Sequence, residues 1–343
     1  MPDAPINPST FQRAIEQAKT RQDLSVDQTS DLIDSMLKGE ADQQQVADLL
    51  LALREKGESV SELVGAARAM RRHMTRIDHQ HSTLLDTCGT GGSGSGTFNI
   101  STAVAIVAAA CGIPVAKHGN RKATSRSGSA DVLEELGVPI ESDAHTVTRR
   151  LNEIGICFCF AAQLHPAMRH VIGVRRQLGV KTLFNLLGPL CNPAGATHQL
   201  LGASSPAAQS KVAAALAQLG TQRSFVIHAS DGQDEVSLDG TTEVIEISSE
   251  GEQQHRWSAD DFGLLPAGKE ALTVANPNES ADVIRRLLDG EPGPRRDTVL
   301  AGVAAALLLV GKTDSLQAGV AQAAQAIDQG AAKQKLEALK ASG

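Results

Sequence analysis

The stretch DTCGTGGSGSGTFNIST, residues 86–102, largely determines the fold that this sequence predicts. Five of the eight residues from Gly89 to Gly96 are glycine, the residue that loses most backbone freedom on folding. A strand-like apolar run precedes the stretch, and an alanine-rich helical run follows it. A glycine-rich loop in this position lets backbone N–H groups approach a ligand, and the helix adds the positive end of its dipole. The stretch therefore predicts a phosphate or pyrophosphate site; the alternative is a flexible loop without a role.

Two common phosphate motifs do not account for this loop. The P-loop pattern GxxxxGK[ST] is absent, whereas GxGxxG matches formally at 89–94. A dinucleotide site also needs an acidic residue about 20 positions later, but the segment after the next predicted strand, KHGNR at 117–121, is basic. Basic side chains facing a phosphate loop indicate a highly charged anion; the alternative is a solvated basic loop. The basic residues are Lys117, Arg121, Lys122 and Arg126.

Composition and charge disfavour two further classes of protein. The 343 residues carry a net charge of −7, and aromatic residues make up only 2 % of the chain. Nucleic-acid binding usually leaves a basic footprint, and single-strand binding uses aromatic stacking, so we expect no nucleic-acid partner. The apolar runs at 103–116 and 299–310 are shorter than the ~20 residues that span a bilayer. With no signal-peptide pattern at the start, the sequence predicts a cytoplasmic protein without membrane contact.

The periodicity of apolar residues changes near residue 80. Before it, capping-box patterns at Ser25 and Ser59 precede apolar residues at helical spacing, which predicts a small antiparallel bundle. After it, strands (the first two predicted at 83–87 and 113–116) alternate with helices, as in a parallel sheet covered on both faces. Residues 240–257 alternate apolar and polar and predict a hairpin or an edge strand. The fold class is α/β: a small all-helical domain and a large α/β domain with a mostly parallel central sheet flanked by helices.

Several ordered motifs carry a resemblance to a known family. The first four are CGTGG (88–92), FNIST (98–102), KHGNR (117–121) and SGSADVLE (127–134). Further matches follow at HPAM (165–168), VR (174–175), FNLLGPL (184–190), NP (192–193) and DEVS (234–237). As a set they resemble the anthranilate phosphoribosyltransferases, and the resemblance extends from about residue 10 to 340.

The resemblance implies a domain division and an oligomeric state. It places a helical domain at 8–80, joined by a helical insert at about 165–193, and a phosphoribosyl-binding α/β domain at 81–164 and 194–341. The active site would lie in the cleft between the two domains. The helical domain would also form the contact of a homodimer.

The resemblance also implies a reaction and a metal. The phosphoribosyl group of PRPP would pass to the amine of anthranilate, with release of pyrophosphate, in tryptophan biosynthesis. Negative charge develops on the departing pyrophosphate and positive charge on the ribose, so backbone donors and Mg²⁺, two ions with PRPP, would stabilise the departing group. The matching metal ligands are Ser101, Asp234 and Glu235.

The positions that match substrate-binding residues of the family form two sets. For PRPP they are Gly89, Thr90, Gly91, Gly92, Thr97, Asn99, Ser101, Thr102, Lys117, His118, Gly119, Asn120 and Ser129. For anthranilate they are Gly89, His118, Asn120, His165, Arg175 and Pro189. A carboxylate substrate calls for a cation, and the planar fork of Arg175 can bind it bidentately; on pattern alone, Arg175 and Arg176 are equally well explained as surface charges.

One position departs from the family pattern. The family loop commonly reads GTGGDG, and here Ser93 replaces the aspartate. The change removes a carboxylate beside the PRPP and metal site, which affects the expected affinity for PRPP with Mg²⁺. The other implied metal ligands are present, so we still expect activity.

Two other functions fit parts of the same sequence. A pyrimidine-nucleoside phosphorylase would share the fold and a KHxNR segment, but usually has serine where this chain has Gly119. A non-catalytic nucleic-acid-binding relative is disfavoured by the net charge and by the intact loop. The small residue at 119 and the pair Asp234–Glu235 favour the transferase.

Overall fold

Helices alone occupy the first part of the chain. The structure, a computed structural model, describes residues 8–91, 94–122 and 127–342. The helices of this bundle are α1 Pro8–Lys19, α2 Val26–Lys38, α3 Gln43–Lys56 and α4 Val60–His73. Both predicted capping boxes are confirmed. The hydroxyls of Ser25 and Ser59 accept the backbone N–H of the third residue of their helices, Gln28 and Glu62, and the side chains of Gln28 and Glu62 accept the backbone N–H of the two serines.

A seven-stranded sheet forms the centre of the remaining chain, as the sequence predicts. Its strands are β1 Leu85–Gly89, β2 Val115–Gly119, β3 Ile156–Phe160, β4 His198–Gly202, β5 Arg223–Ala229, β6 Thr242–Ser248 and β7 Gly251–Trp257. The order is β3-β2-β1-β4-β5-β6-β7. The first five strands pair in parallel, whereas β6 and β7 form the antiparallel hairpin predicted for 240–257.

Helices connect the strands and cover the sheet. They are α5 Ile100–Ala110, α6 Ser129–Glu135, α7 Ala144–Ile154, α8 Ala161–Leu164, α9 Ile172–Leu178, α10 Phe184–Leu187, α11 Pro206–Leu219, α12 Ala259–Phe262, α13 Pro277–Leu288, α14 Pro294–Leu309, α15 Leu316–Asp328 and α16 Ala331–Lys340. Short 3₁₀ helices lie at Pro166–His170, Gly188–Leu190 and Lys269–Leu272. None of the described helices has the length and apolar character needed to cross a bilayer.

The strands other than β7 are largely buried on both faces, and the two faces of β5 belong to different apolar clusters. Successive residues of β5 alternate between them: Phe225 packs with α5 and α14, and Val226 packs with α11 and the N-terminal bundle. Val174 of α9 and Leu187 of α10 belong to the second cluster. The helices at 172–187 therefore pack with the N-terminal bundle, although they are distant from it in sequence.

Strands β1 and β2 end later than the sequence predicts. Parallel pairing continues to Gly89, which lies opposite Gly202 of β4, and to Gly119, which lies opposite Phe160 of β3. Glycines read as loop residues are thus the last paired residues of their strands. The glycine-rich loop consequently begins at the carboxyl edge of the sheet.

The order of the strands marks where a ligand can bind. From β1 the chain builds the sheet outward on one side through β2 and β3, and returns to the other side with β4 and β5. In such sheets the crevice beyond the carboxyl ends of the strands, at this point of reversal, is the usual ligand site. Gly89 and Gly202 lie at that point.

We predict that Gly202→Ala destabilises the protein by about 3 kcal/mol, because the new methyl group overpacks the site. A Cβ at residue 202 would lie 1.8 Å from the carbonyl oxygen of Asp234. Gly173→Ala is the matched control, since a Cβ at residue 173 meets no atom within 4 Å. Urea unfolding of the two variants measures the difference. Equal stability of both would contradict the close packing at Gly202.

Candidate active site

The glycine-rich loop is anchored at both ends. At its start, the Thr90 N–H donates to the carbonyl oxygen of Gly202 (2.8 Å), and Thr90 Oγ1 accepts the Ser204 N–H (3.0 Å). At its end, Thr97 pairs with Thr273 in an isolated antiparallel bridge. Gly91, between these anchors, is exposed. Predicted residues Gly92, Ser93 and Arg126 lie outside the described residues.

The amino terminus of α5 opens at this loop without a side-chain cap of its own. The Asn99 side chain does not cap the helix, because Asn99 Oδ1 accepts the hydroxyls of Ser127 (2.6 Å) and Ser280 (2.9 Å). The Ser101 N–H donates instead to Glu235 Oε1 (3.1 Å). Thr102, also in the first turn, is fully buried. The first turn of α5 therefore faces an acidic group, and the helix dipole favours negative charge there.

A buried lysine lies beside the same helix turn. Lys117 is 4 % exposed, and its Nζ donates to Ser101 Oγ (3.0 Å) and to the Thr87 carbonyl oxygen. Burial lowers the pKa of Lys117, while nearby Asp86 partly opposes the shift. Its ammonium group is thus held next to the glycine-rich loop, which agrees with the predicted phosphate contact.

Two adjacent carboxylates complete this side of the site. A Cβ at Gly89 would lie 3.3 Å from Asp234 Oδ2, so that carboxylate lies directly beside the strand end. Burial, and then the nearby Asp234 charge, raise the pKa of Glu235 to about 8. A divalent cation would compensate this negative charge, and carboxylate and hydroxyl oxygens are the ligands that Mg²⁺ prefers. Asp234, Glu235 and Ser101 therefore fit the predicted metal.

The described residues offer no group of three or more His, Cys, Asp and Glu side chains that could hold a metal ion. Mg²⁺ usually binds through one or two carboxylates together with substrate phosphates and water. The pair at 234–235 is therefore sufficient only if the substrate supplies further oxygens.

Two buried histidines contact each other near the carboxyl end of β2. His118 Nδ1 lies 2.9 Å from the Gly188 carbonyl oxygen, and its Nε2 lies 3.1 Å from Nε2 of His165. A carbonyl only accepts, so His118 carries its proton on Nδ1 and accepts on Nε2 from His165. Burial lowers the pKa of His118 to about 3, helped by His165, and burial lowers that of His165 to about 4. Both rings are neutral at pH 7.

Arg175 on α9 is a cation without a counter-ion among the described residues. Its guanidinium lies 5.3 Å from the centre of the Phe184 ring and makes no hydrogen bond or ion pair there. Arg175 is partly buried, and burial lowers its pKa, whereas Arg176 is exposed. A partly buried, unpaired guanidinium is well suited to bind a carboxylate. Of the two explanations for Arg175, the structure favours a binding role over a surface charge.

Gly119, Asn120 and Ser129 pack against one another beyond the carboxyl end of β2. A Cβ at Gly119 would lie 2.1 Å from Ser129 Oγ, so Ser129 packs directly on the glycine. The Ser129 hydroxyl donates a hydrogen bond to the backbone carbonyl oxygen of the exposed Asn120 (3.3 Å). A serine at 119, as in the phosphorylases, would clash here unless Ser129 moved. The packing therefore favours the transferase pattern.

One basic residue does not face the glycine-rich loop as predicted. The guanidinium of Arg121 donates to both carboxylate oxygens of Glu134, one at 2.8 Å, and to Asp131 of the same helix α6 (3.4 Å). Its charge is thus matched by acidic side chains outside the phosphate site. The sequence showed four nearby cations but not which of them already had partners.

Two residues to which the sequence analysis gave no role connect the strands of the site. Asp86 is fully buried. Its Oδ1 accepts a hydrogen bond from the backbone N–H of His118 (3.0 Å), and its Oδ2 accepts one from Nδ2 of Asn192 (2.8 Å). Asn192 also donates to the Ala116 carbonyl oxygen (2.8 Å). Nearby, Nε2 of Gln199 donates a hydrogen bond to the backbone carbonyl oxygen of the buried Pro189 (2.6 Å). The available signal was a charged residue, Asp86, inside an apolar strand.

Comparison with protein families gives the class of protein. The model described as "Glycosyl transferase family, a/b domain" matches residues 81–333, and "Glycosyl transferase family, helical bundle domain" matches residues 12–74. The chain therefore belongs to this family of glycosyl transferases.

Individual relatives narrow the class. An anthranilate phosphoribosyltransferase of Rhodopirellula baltica is 67 % identical over 340 residues, which are 99 % of each chain. The solved enzyme of that name from Thermus thermophilus is 42 % identical with a TM-score of 0.90, covering 96 % of this chain and 98 % of its own. The Saccharomyces cerevisiae enzyme in complex with PRPP and Mg is 28 % identical with a TM-score of 0.89, covering 98 % of both chains. Within the glycosyl transferases, this chain belongs to the anthranilate phosphoribosyltransferase family.

We predict that the histidine pair makes the protein less stable in acid. An unfolded histidine takes up a proton below its ordinary pKa of about 6.5, whereas the folded pair remains neutral until about pH 4. The stability contributed by the neutral rings is thus present above pH 6.5 and is lost as the pH falls. At pH 5 each ring lowers the free energy of unfolding by about 2 kcal/mol relative to neutral pH.

Between pH 7 and pH 5, the free energy of unfolding of His165→Gln should therefore fall by about 2 kcal/mol less than that of the wild type. The glutamine amide can still donate to His118. His145→Gln, at an exposed position on α7, is the control and should follow the wild type. Urea unfolding at both pH values measures the change, and parallel curves for all three proteins would refute a neutral buried pair.

Proposed function

We propose that this chain transfers the phosphoribosyl group of PRPP to the amine of anthranilate in the cleft beyond the carboxyl ends of β1, β2 and β4. The observation that carries the proposal is the layout of the site. The glycine-rich loop, Lys117 and the paired carboxylates supply a phosphate and metal side, and we assign the unpaired Arg175 and the neutral histidine pair to the acceptor side. These two sides suit an anionic donor and a carboxylate-bearing acceptor.

On the donor side, the backbone of the glycine-rich loop binds the pyrophosphate of PRPP. Lys117 and the first turn of α5 add positive charge, from the ammonium group and from the helix dipole. Thr97 and Asn99 follow the same loop in sequence, and Ser129 packs on Gly119 at the end of β2. Gly89, Thr90 and Gly91 supply the close backbone approach. This arrangement stabilises the charge that develops on the leaving pyrophosphate.

Asp234, Glu235 and Ser101 would hold Mg²⁺ beside the PRPP site. When bound, the metal would supply positive charge that compensates the pyrophosphate. The solved yeast relative, which holds PRPP and magnesium, supports this assignment. Burial, and then the Asp234 charge, raise the pKa of Glu235, and a bound cation would oppose both effects.

On the acceptor side, Arg175 binds the carboxylate of anthranilate, and Phe184 holds the guanidinium in place by stacking. His118, His165, Asn120 and Pro189 form the wall around the aromatic ring. The amine of an arylamine is neutral at pH 7 and attacks without first losing a proton. Positioning of the amine against the ribose then supplies much of the rate.

We further propose the domain division and setting of the molecule. Residues 8–80 with the insert at about 165–193 act as one helical domain, and 81–164 with 194–341 form the α/β domain. The shared apolar cluster of α9, α10 and the bundle supports this division. The helical domain pairs two copies as a homodimer, and the enzyme works in the cytoplasm within tryptophan biosynthesis.

We predict that anthranilate fluorescence falls when the protein is mixed with anthranilate, PRPP and Mg²⁺. One pyrophosphate should appear for each anthranilate consumed, and EDTA should stop the reaction. A parallel assay measures nucleoside cleavage, with phosphate and either thymidine or uridine in place of PRPP and anthranilate. Nucleoside cleavage there, with no loss of anthranilate, would assign the chain to the phosphorylases instead.

We predict that Arg175→Ala raises the KM for anthranilate by about 100-fold and that for PRPP by less than about threefold, because a charged hydrogen bond to the carboxylate is lost. Arg176→Ala on the exposed side of the same helix is the matched control and should leave both values unchanged. Steady-state kinetics with each substrate varied in turn give the two constants. An unchanged KM for anthranilate would remove Arg175 from the acceptor site.

A further inference from the structure

A second cavity, of about 390 Å³, lies away from the glycine-rich loop, at the amino-terminal edge of the sheet. The end of α4, the end of α11 and the turns before β4 and β5 enclose it. Its size is within the range of small-molecule sites. The residues assigned to PRPP and to the metal do not line it, and Pro189 is the only one of the predicted anthranilate residues that does.

Arg71 gives this cavity its chemical character. Its Nε donates to the Leu190 carbonyl oxygen (2.7 Å), and the guanidinium makes no further hydrogen bond or ion pair among the described residues. Arg71 is partly buried, and burial lowers its pKa. A guanidinium that has lost water without gaining a counter-ion strongly favours an anion beside it. The proposed reaction gives this arginine no role.

The other walls indicate what kind of anion fits. Its lining is mixed: Pro193, Leu216 and Leu219 are apolar, and Arg76, Asp78, Thr221 and Gln222 are polar. The Asp78 carboxylate repels a doubly charged phosphate more strongly than a singly charged carboxylate. A carboxylate with a compact apolar body satisfies both the arginine and the apolar walls, since pockets of this kind combine apolar surface with a few polar groups that fix orientation.

We propose that this cavity, the Arg71 cavity, binds a small carboxylate with a compact apolar body, separately from the acceptor site. Arg71 binds the carboxylate, and the apolar body packs on Ile77 and Leu216.

A ligand here acts on the acceptor side through the 3₁₀ turn at Gly188–Leu190. The Leu190 carbonyl accepts from Arg71, and the Gly188 carbonyl lies 2.9 Å from His118 Nδ1. A carboxylate competes with Leu190 for the guanidinium, which loosens the turn that holds His118. This regulatory part rests on the proposed function: the ligand raises the KM for anthranilate at least about twofold and leaves the KM for PRPP unchanged.

The test is calorimetric titration of the protein with 3-phenylpropionate, with the uncharged 3-phenylpropan-1-ol as the control ligand. We expect saturable binding of the carboxylate and at least about tenfold weaker binding of the alcohol. Calorimetry needs no turnover, so failure of the proposed function would leave this result readable. Absence of saturable binding up to ~10 mM would overturn the proposal.

Variants then locate the bound carboxylate. Arg71→Leu should weaken binding at least about tenfold, whereas Arg68→Leu, at an exposed position on the same helix, should not. Leu219→Trp keeps the arginine and fills the cavity, so it should also prevent binding even if Arg71→Leu fails to fold. Arg175→Ala should bind 3-phenylpropionate as tightly as the wild type does. Binding that survives Leu219→Trp, or that is lost in Arg175→Ala, would place the ligand elsewhere and refute the proposal.

Discussion

The close approach of the ends of β1 and β4 is the constraint on which the site depends. Gly89 and Gly202 lie opposite each other, and Asp234 lies against both: a Cβ at residue 202 would overlap its backbone, and a Cβ at residue 89 would lie 3.3 Å from its Oδ2. The missing side chains let the carboxylates after β5 reach the loop after β1. The same contact anchors Thr90 to β4 and so fixes where the glycine-rich loop begins. A phosphate cradle and a cation site thereby share one small volume.

Asp86 connects that cradle to the acceptor side. It lies in the strand that leads into the glycine-rich loop, yet its two oxygens accept from the His118 backbone and from Asn192. Burial raises the pKa of Asp86, and Lys117 and these hydrogen bonds offset part of that cost. A buried carboxylate held by several donors fixes geometry strongly, because losing any donor leaves it unsatisfied. The two sides of the cleft are thus held by one side chain.

The local features of this fold could be predicted from the sequence, and the remote contacts could not. Capping residues, helical spacing and strand alternation depend on neighbours within a few positions, so both capping boxes and the hairpin at 242–257 are found where predicted. The pairing of Arg121 with Glu134 and the contact of Asp234 with Gly89 depend on how whole elements pack. The roles of the site residues came from family motifs, since residue type alone left Arg175 ambiguous.

The hydrogen bonds of the histidine pair leave no ring nitrogen of His118 free to act as a general base in the proposed reaction. His118 donates through Nδ1 to a backbone carbonyl, so its Nε2 is already occupied by the proton of His165. Neither ring gains a proton at neutral pH, because burial keeps both pKa values near 3 to 4. A neutral wall also avoids repelling the positive charge that grows on the ribose as pyrophosphate leaves. In the proposed function the charged groups serve the ends of the substrates: Lys117 the pyrophosphate, the carboxylate pair its Mg²⁺, and Arg175 the carboxylate. Catalysis then rests on alignment of a neutral amine with a leaving group whose charge is already compensated.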